Sequence, residues 1–84
     1  MKLTVEISMY PLNEDYLPPI RSFIARLQGY EGLQVNTYPT ATVLVGEHDR
    51  IMDILKDALA WSQTEFGMSV FVTKFITGYE AGQG

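Results

Sequence analysis

Four short runs of alternating residues, broken by two segments of helical period, leave this chain few ways to fold. In Leu3-Thr4-Val5-Glu6-Ile7-Ser8-Met9-Tyr10, one side carries Leu3, Val5, Ile7 and Met9 and the other Thr4, Glu6, Ser8 and Tyr10. A period of two with β-branched residues is that of a strand with one buried face. Pro11 closes the run, because proline has no N–H for a sheet ladder. Pro18 and Pro19 fit the first turn of a helix, whose N–H groups have no partner within the helix. Beyond them Ile20, Phe23, Ile24 and Leu27 recur at spacings of three and four and form one apolar stripe. The start of this helix falls between Asp15 and Pro19, and Gly29 is placed to end it as a left-handed cap.

A second strand is expected over Glu31 to Tyr38, with Leu33, Val35 and Thr37 alternating against Gln34, Asn36 and Tyr38. Pro39 interrupts it, and a third strand resumes over Thr40 to Gly46. So short a connection makes the pair antiparallel. Asp49 stands as an N-cap before a helix from about Arg50 to Phe66, with Ile51, Leu55, Ala58, Leu59, Ser62 and Phe66 on one face. Asp49, Asp53 and Asp57 form an acidic row outside, with Trp61 at its margin beside Ile54. Ser69 to Thr77 reads as a fourth strand, and 79–84 as a frayed tail. The order is β-α-β-β-α-β. Two right-handed crossovers of this length give an α+β, ferredoxin-like domain: a four-stranded antiparallel sheet of order 4-1-3-2 with both helices on one face.

The 84 residues make one domain, 1–84, and composition excludes several functions for it. Ten acidic residues against six basic ones give a net charge of −4, which opposes a nucleic-acid partner that needs a basic face. There is no cysteine, hence no disulfide, thiolate metal site or thiol nucleophile. The single histidine, His48, falls in a turn and makes no metal site alone. No apolar run spans a bilayer and no signal peptide opens the chain, so no membrane partner and a cytoplasmic location are expected. A domain this short also buries a modest fraction of its surface, which favours association with copies of itself.

Candidate site residues come from the sheet face turned away from the helices. Glu6, Ser8 and Tyr10 stand there on a central strand. If Ala41, Val43 and Val45 point inward, Thr40 and Thr42 join Ser8, and Asn36 and Tyr38 extend the patch. Phe71 and Phe75 fit either face, with Lys74 opposite them. Acceptors, hydroxyls and rings then converge on a patch suited to a small planar polar ligand, provided that something covers it. An open antiparallel face is also polar merely by being solvated. Glu6 in mid-strand is the most informative residue, since a carboxylate is rarely buried without a partner.

Val5-Glu6-Ile7-Ser8-Met9-Tyr10-Pro11-Leu12 resembles the E-I-S-x-Y-P-L opening of the YkoF-related and thiamine-binding protein family. Gly32 to Gly46 is similar to that family's G-L-x-V-x-x-x-P-T-x-T-x-V-x-G hairpin. The resemblance covers nearly the whole chain and implies a ferredoxin-like domain that binds thiamine or its hydroxymethylpyrimidine moiety without catalysis. It implies pairing of such domains, here between chains as a dimer or tetramer. It matches Glu6, Ser8, Thr40 and Thr42 to the motif's polar positions and Tyr10 to its tyrosine. A carboxyl and hydroxyls can satisfy an aminopyrimidine, while Tyr10, Tyr38 or Trp61 can face the thiazolium cation. No cofactor is expected beyond such a ligand. The alternative is a structural or regulatory homo-oligomer with no small ligand, its polar sheet face serving self-association and Glu6 pairing across a two-fold axis.

Overall fold

The computed structural model describes residues 1–82 and follows the expected element order. Strands β1 (Lys2–Pro11), β2 (Gln34–Thr37), β3 (Thr42–Glu47) and β4 (Ser69–Thr77) form one antiparallel sheet of order β2-β3-β1-β4. Helices α1 (Leu17–Gln28) and α2 (His48–Phe66) make the two crossovers and share one sheet face. This is the ferredoxin-like α+β fold. Leu3, Val5 and Ile7 of β1, Leu44 of β3, Phe23 and Leu27 of α1, and Ile51, Ile54, Leu55 and Ala58 of α2 build the core. Fully burying one such leucine or isoleucine contributes about 1.5–3 kcal/mol.

Local endings differ in detail from the sequence expectation. Gly29 ends α1 in right-handed geometry with φ −83°; its N–H donates to the Arg26 carbonyl, and the Tyr30 N–H donates to the Leu27 carbonyl. A positive φ is found instead at the end of α2, where Gly67 has φ +77° and ψ −151°. The cap of α2 is Glu47, so Asp49 falls in its first turn and His48 opens the helix. The inner face of α2 includes Ile54 at 1% exposure and turns Leu59 outward. β2 is shorter than the alternation suggests, because Pro39 and the bend around it divert the chain after Thr37.

The register settles which residues share a face. Val5 stands opposite Leu44 and Phe75, and Ile7 opposite Thr42 and Thr73, all on the helix side. Phe71, opposite Met9, meets Phe23 of α1 with ring centroids 5.0 Å apart. Glu6 stands opposite Val43 and Lys74, and Thr4 opposite Val45 and Ile76, on the open side. The expectation for β3 is therefore reversed: Thr42 points toward the helices, while Val43 and Val45 face away. Expected to fray, the tail is instead tied down in its first half. Thr4 Oγ1 donates to the Tyr79 carbonyl at 2.7 Å and accepts from Ala81 N–H at 3.0 Å. That strap explains why Thr4 and Val45 are buried on an otherwise open face. Residues 83–84 of the expected tail lie outside the described residues.

Candidate functional site

β1 runs beside β4 as far as Pro11, opposite Ser69, but its pairing with β3 stops at Ile7, opposite Thr42. Beyond that point the β2–β3 connection, rather than a strand, lies on the β3 side of β1. The lane so vacated is a cavity of about 430 Å³. This volume suits a small-molecule site. Its apolar wall is Ile20, Phe23 and Ile24 of α1 with Ile7 and Met9 of β1. Ser8, Tyr10 and Pro11 continue the β1 side, and Tyr38, Pro39, Thr40, Ala41 and Thr42 form the opposite bank. Asn13 and Tyr16 stand at the mouth.

Five of the six residues expected from sequence come together here: Ser8, Tyr10, Tyr38, Thr40 and Thr42 all line the cavity. Ser8 Oγ donates to the Thr40 carbonyl at 2.9 Å, tying the connection to β1. Thr42 is buried beneath it, while Tyr10 and Tyr38 are more than half exposed and form a rim. Glu6 is the exception. It stands across the sheet from Thr42, with its carboxylate 3.8 Å from Lys74 Nζ. Glu6 and Ser8 share the open face as expected, but Thr42 does not join them, because successive strand residues alternate faces and a one-residue change of face in β3 moves every side chain.

Sequence reasoning does not find the aromatic and apolar wall from α1 as part of a site. Ile20, Phe23 and Ile24 read as core because their spacing is that of any buried stripe. Half-burial of Ile20 and Ile24 is what separates them from Phe23 and Leu27. Among the described residues, no Asp, Glu, His, Lys or Arg lines the cavity. The described residues hold no cluster of three or more His, Asp or Glu side chains able to bind a metal ion. Nor is any described helix long and apolar enough to cross a membrane.

Trp61 takes no part in this cavity. It packs at the margin of the core, edge-on to Phe66 with centroids 5.6 Å apart, and the Arg26 guanidinium lies 4.7 Å from its ring. Arg26 also reaches Asp57 at 3.1 Å, and the Tyr30 hydroxyl donates to the same carboxylate. Those hydrogen bonds, Tyr30 first and Arg26 second, hold the Asp57 carboxyl below its ordinary range. The cluster joins α1 to α2, so Asp57 is more than a solvated member of an acidic row.

A model of the YKOF-related family matches residues 2–73. No curated protein gives a significant match. Among solved structures, a Streptococcus pneumoniae protein is similar at 32% identity and a TM-score of 0.85, over 94% of this chain and 89% of its own. A Thermotoga maritima protein, provisionally assigned by its name to thiamine biosynthesis or salvage, is similar at 26% identity and a TM-score of 0.83, over 98% and 87%. A hypothetical protein of Methanocaldococcus jannaschii follows at 25% identity and 0.78, over 93% and 81%.

Proposed function

The chain belongs to the YKOF-related family, and we propose that it binds thiamine or its hydroxymethylpyrimidine moiety without turning it over. The observation that carries this reading is the cavity between α1 and the β2–β3 connection. Its apolar wall suits the face of a flat heterocycle, and the Ser8, Thr40 and Thr42 hydroxyls suit its polar edge. Tyr10 and Tyr38 at the rim supply ring faces to a thiazolium cation, each for about 0.5–2 kcal/mol. The provisional thiamine assignment of the Thermotoga maritima protein points the same way. Among the described residues the lining offers hydroxyls and tyrosines but no carboxylate or imidazole, which favours binding over catalysis.

Glu6 has no place in this pocket, and we assign it to the open face. There Val70, Val72 and Ile76 are about half exposed around the Glu6–Lys74 pair. A two-fold axis through that pair would let each Glu6 face the other copy's Lys74, which supports a homo-oligomer. This face also favours the second reading, an oligomer that holds no small ligand.

Isothermal titration with thiamine and with hydroxymethylpyrimidine separates the two. Heat of binding that weakens in Ser8→Ala and Thr42→Val supports the carrier. The absence of both heat and thermal stabilisation refutes it, because ligand at about 100 times its Kd adds roughly 2.7 kcal/mol of stability.

A further inference from the structure

Peptide groups of β1 face its two neighbours alternately. Lys2 carbonyl accepts from Gly78 N–H, and Leu12 N–H donates to the Met68 carbonyl, so even-numbered residues serve the β4 side. Met1 carbonyl accepts from His48 N–H, so odd-numbered residues serve the β3 side. Ile7 is the last of these with a partner, Thr42. The next is Met9, and no β3 residue stands opposite it. No backbone hydrogen bond outside the ladders reaches Met9 among the described residues. Met9 lines the cavity, so its N–H and C=O open into the vacated lane.

We propose that Met9 presents this N–H and C=O pair as the specificity-determining edge of the pocket, and that the ligand it selects is a planar heterocycle carrying a ring-nitrogen acceptor beside an exocyclic amino donor. The proposal rests on the small-ligand reading above and deepens it. The ring nitrogen accepts from Met9 N–H, and the amino group donates to Met9 C=O. Such a ring would lie between Met9 and Thr40, the residue that a continued register would place opposite Met9 and whose carbonyl accepts from Ser8 Oγ instead. Its face then meets the apolar wall of α1.

The edge is one residue long, which decides against a peptide as the occupant. An added strand would draw on several consecutive odd-numbered residues. Pro11, the next after Met9, has no N–H to offer. Pro39 on the opposite bank likewise lacks an N–H. The site is therefore one ring wide, and its selectivity lies in a donor–acceptor order rather than in charge. An unmade hydrogen bond at a buried edge is costly, so rings lacking either group are discriminated against.

The test uses the full chain labelled with nitrogen-15 and 4-amino-5-hydroxymethyl-2-methylpyrimidine, with calorimetry in parallel. Without ligand, the Met9 amide should exchange with solvent at least about tenfold faster than those of Ser8 and Tyr10, whose position in β1 pairs them with β4. With ligand, the Met9 amide should shift strongly and its exchange should slow by at least about tenfold. The analogue lacking the 4-amino group should bind about two- to tenfold more weakly. If calorimetry shows binding while the Met9 amide neither shifts nor slows, the Met9 edge is refuted and the carrier reading survives. If neither compound binds, the carrier reading falls and this one falls with it.

Discussion

Glu6 and Thr42 lie on opposite faces of the sheet. Thr42 stands beside Ile7 under the helices, and Glu6, one residue earlier in β1, stands beside Val43 on the open side. Their substitutions should therefore act on different properties. Thr42→Val should weaken hydroxymethylpyrimidine binding by about two- to tenfold, the loss of one neutral hydrogen bond. Glu6→Gln should leave that affinity within about twofold, because it removes a charge from the other face and leaves the pocket's hydrogen bonds intact. Calorimetry on the two variants checks both.

Tyr38 is 57% exposed at the cavity rim, where its ring can cover the charged half of a larger ligand. Tyr38→Leu should cost thiamine about 0.5–2 kcal/mol of binding while a neutral pyrimidine loses little. Competition between the two ligands for the variant, followed by tyrosine fluorescence or calorimetry, reads the difference directly.

The open face yields a prediction about assembly. Val72 stands opposite Ser8 and is 51% exposed. Val72→Asp places a carboxylate in the middle of the proposed self-association surface, close to Glu6. Light scattering at matched concentration should show a smaller species than the unaltered chain. An unchanged mass would move the interface elsewhere.

Asp57 supplies a pH dependence whose sign follows from its partners. Tyr30 and Arg26 hold its carboxyl below the usual range in the folded chain. The stability from this cluster is present above the unfolded carboxyl's pKa and is lost as pH falls through the lower, folded value. Melting temperature should therefore drop more steeply below about pH 4 in the unaltered chain than in Asp57→Asn. Because Asp57 is solvent-facing, the difference should be small.

The extent of a strand is legible from its alternation even where its facing is not, as in β4, whose Phe71 and Phe75 fit either face. β4 reads as Ser69 to Thr77 and lies there, and β1 declares its buried set because Leu3, Val5, Ile7 and Met9 have no apolar rivals among Thr4, Glu6 and Ser8. β3 has no such contrast. Thr42 and Leu44 compete with Val43 and Val45, and only pairing with β1 decides which set turns inward. That register is tertiary information. The same ambiguity misplaces Thr42, which turns away from Glu6; Ser8, Tyr10, Tyr38, Thr40 and Thr42 still line the cavity and Glu6 does not. Trp61 reads as a core-margin residue and is one, but its cation partner Arg26 comes from the other helix. No local spacing reports a contact between α1 and α2.

The proposed site places a flat pyrimidine in the lane between α1 and the β2–β3 connection. Isotope-filtered NOEs between unlabelled hydroxymethylpyrimidine and the carbon-13-labelled chain test it most directly. Contacts from the ligand's methyl protons to Ile20, Phe23 and Ile24 are predicted. Contacts to Val70, Val72 and Ile76 instead, or none at saturating ligand, would contradict it.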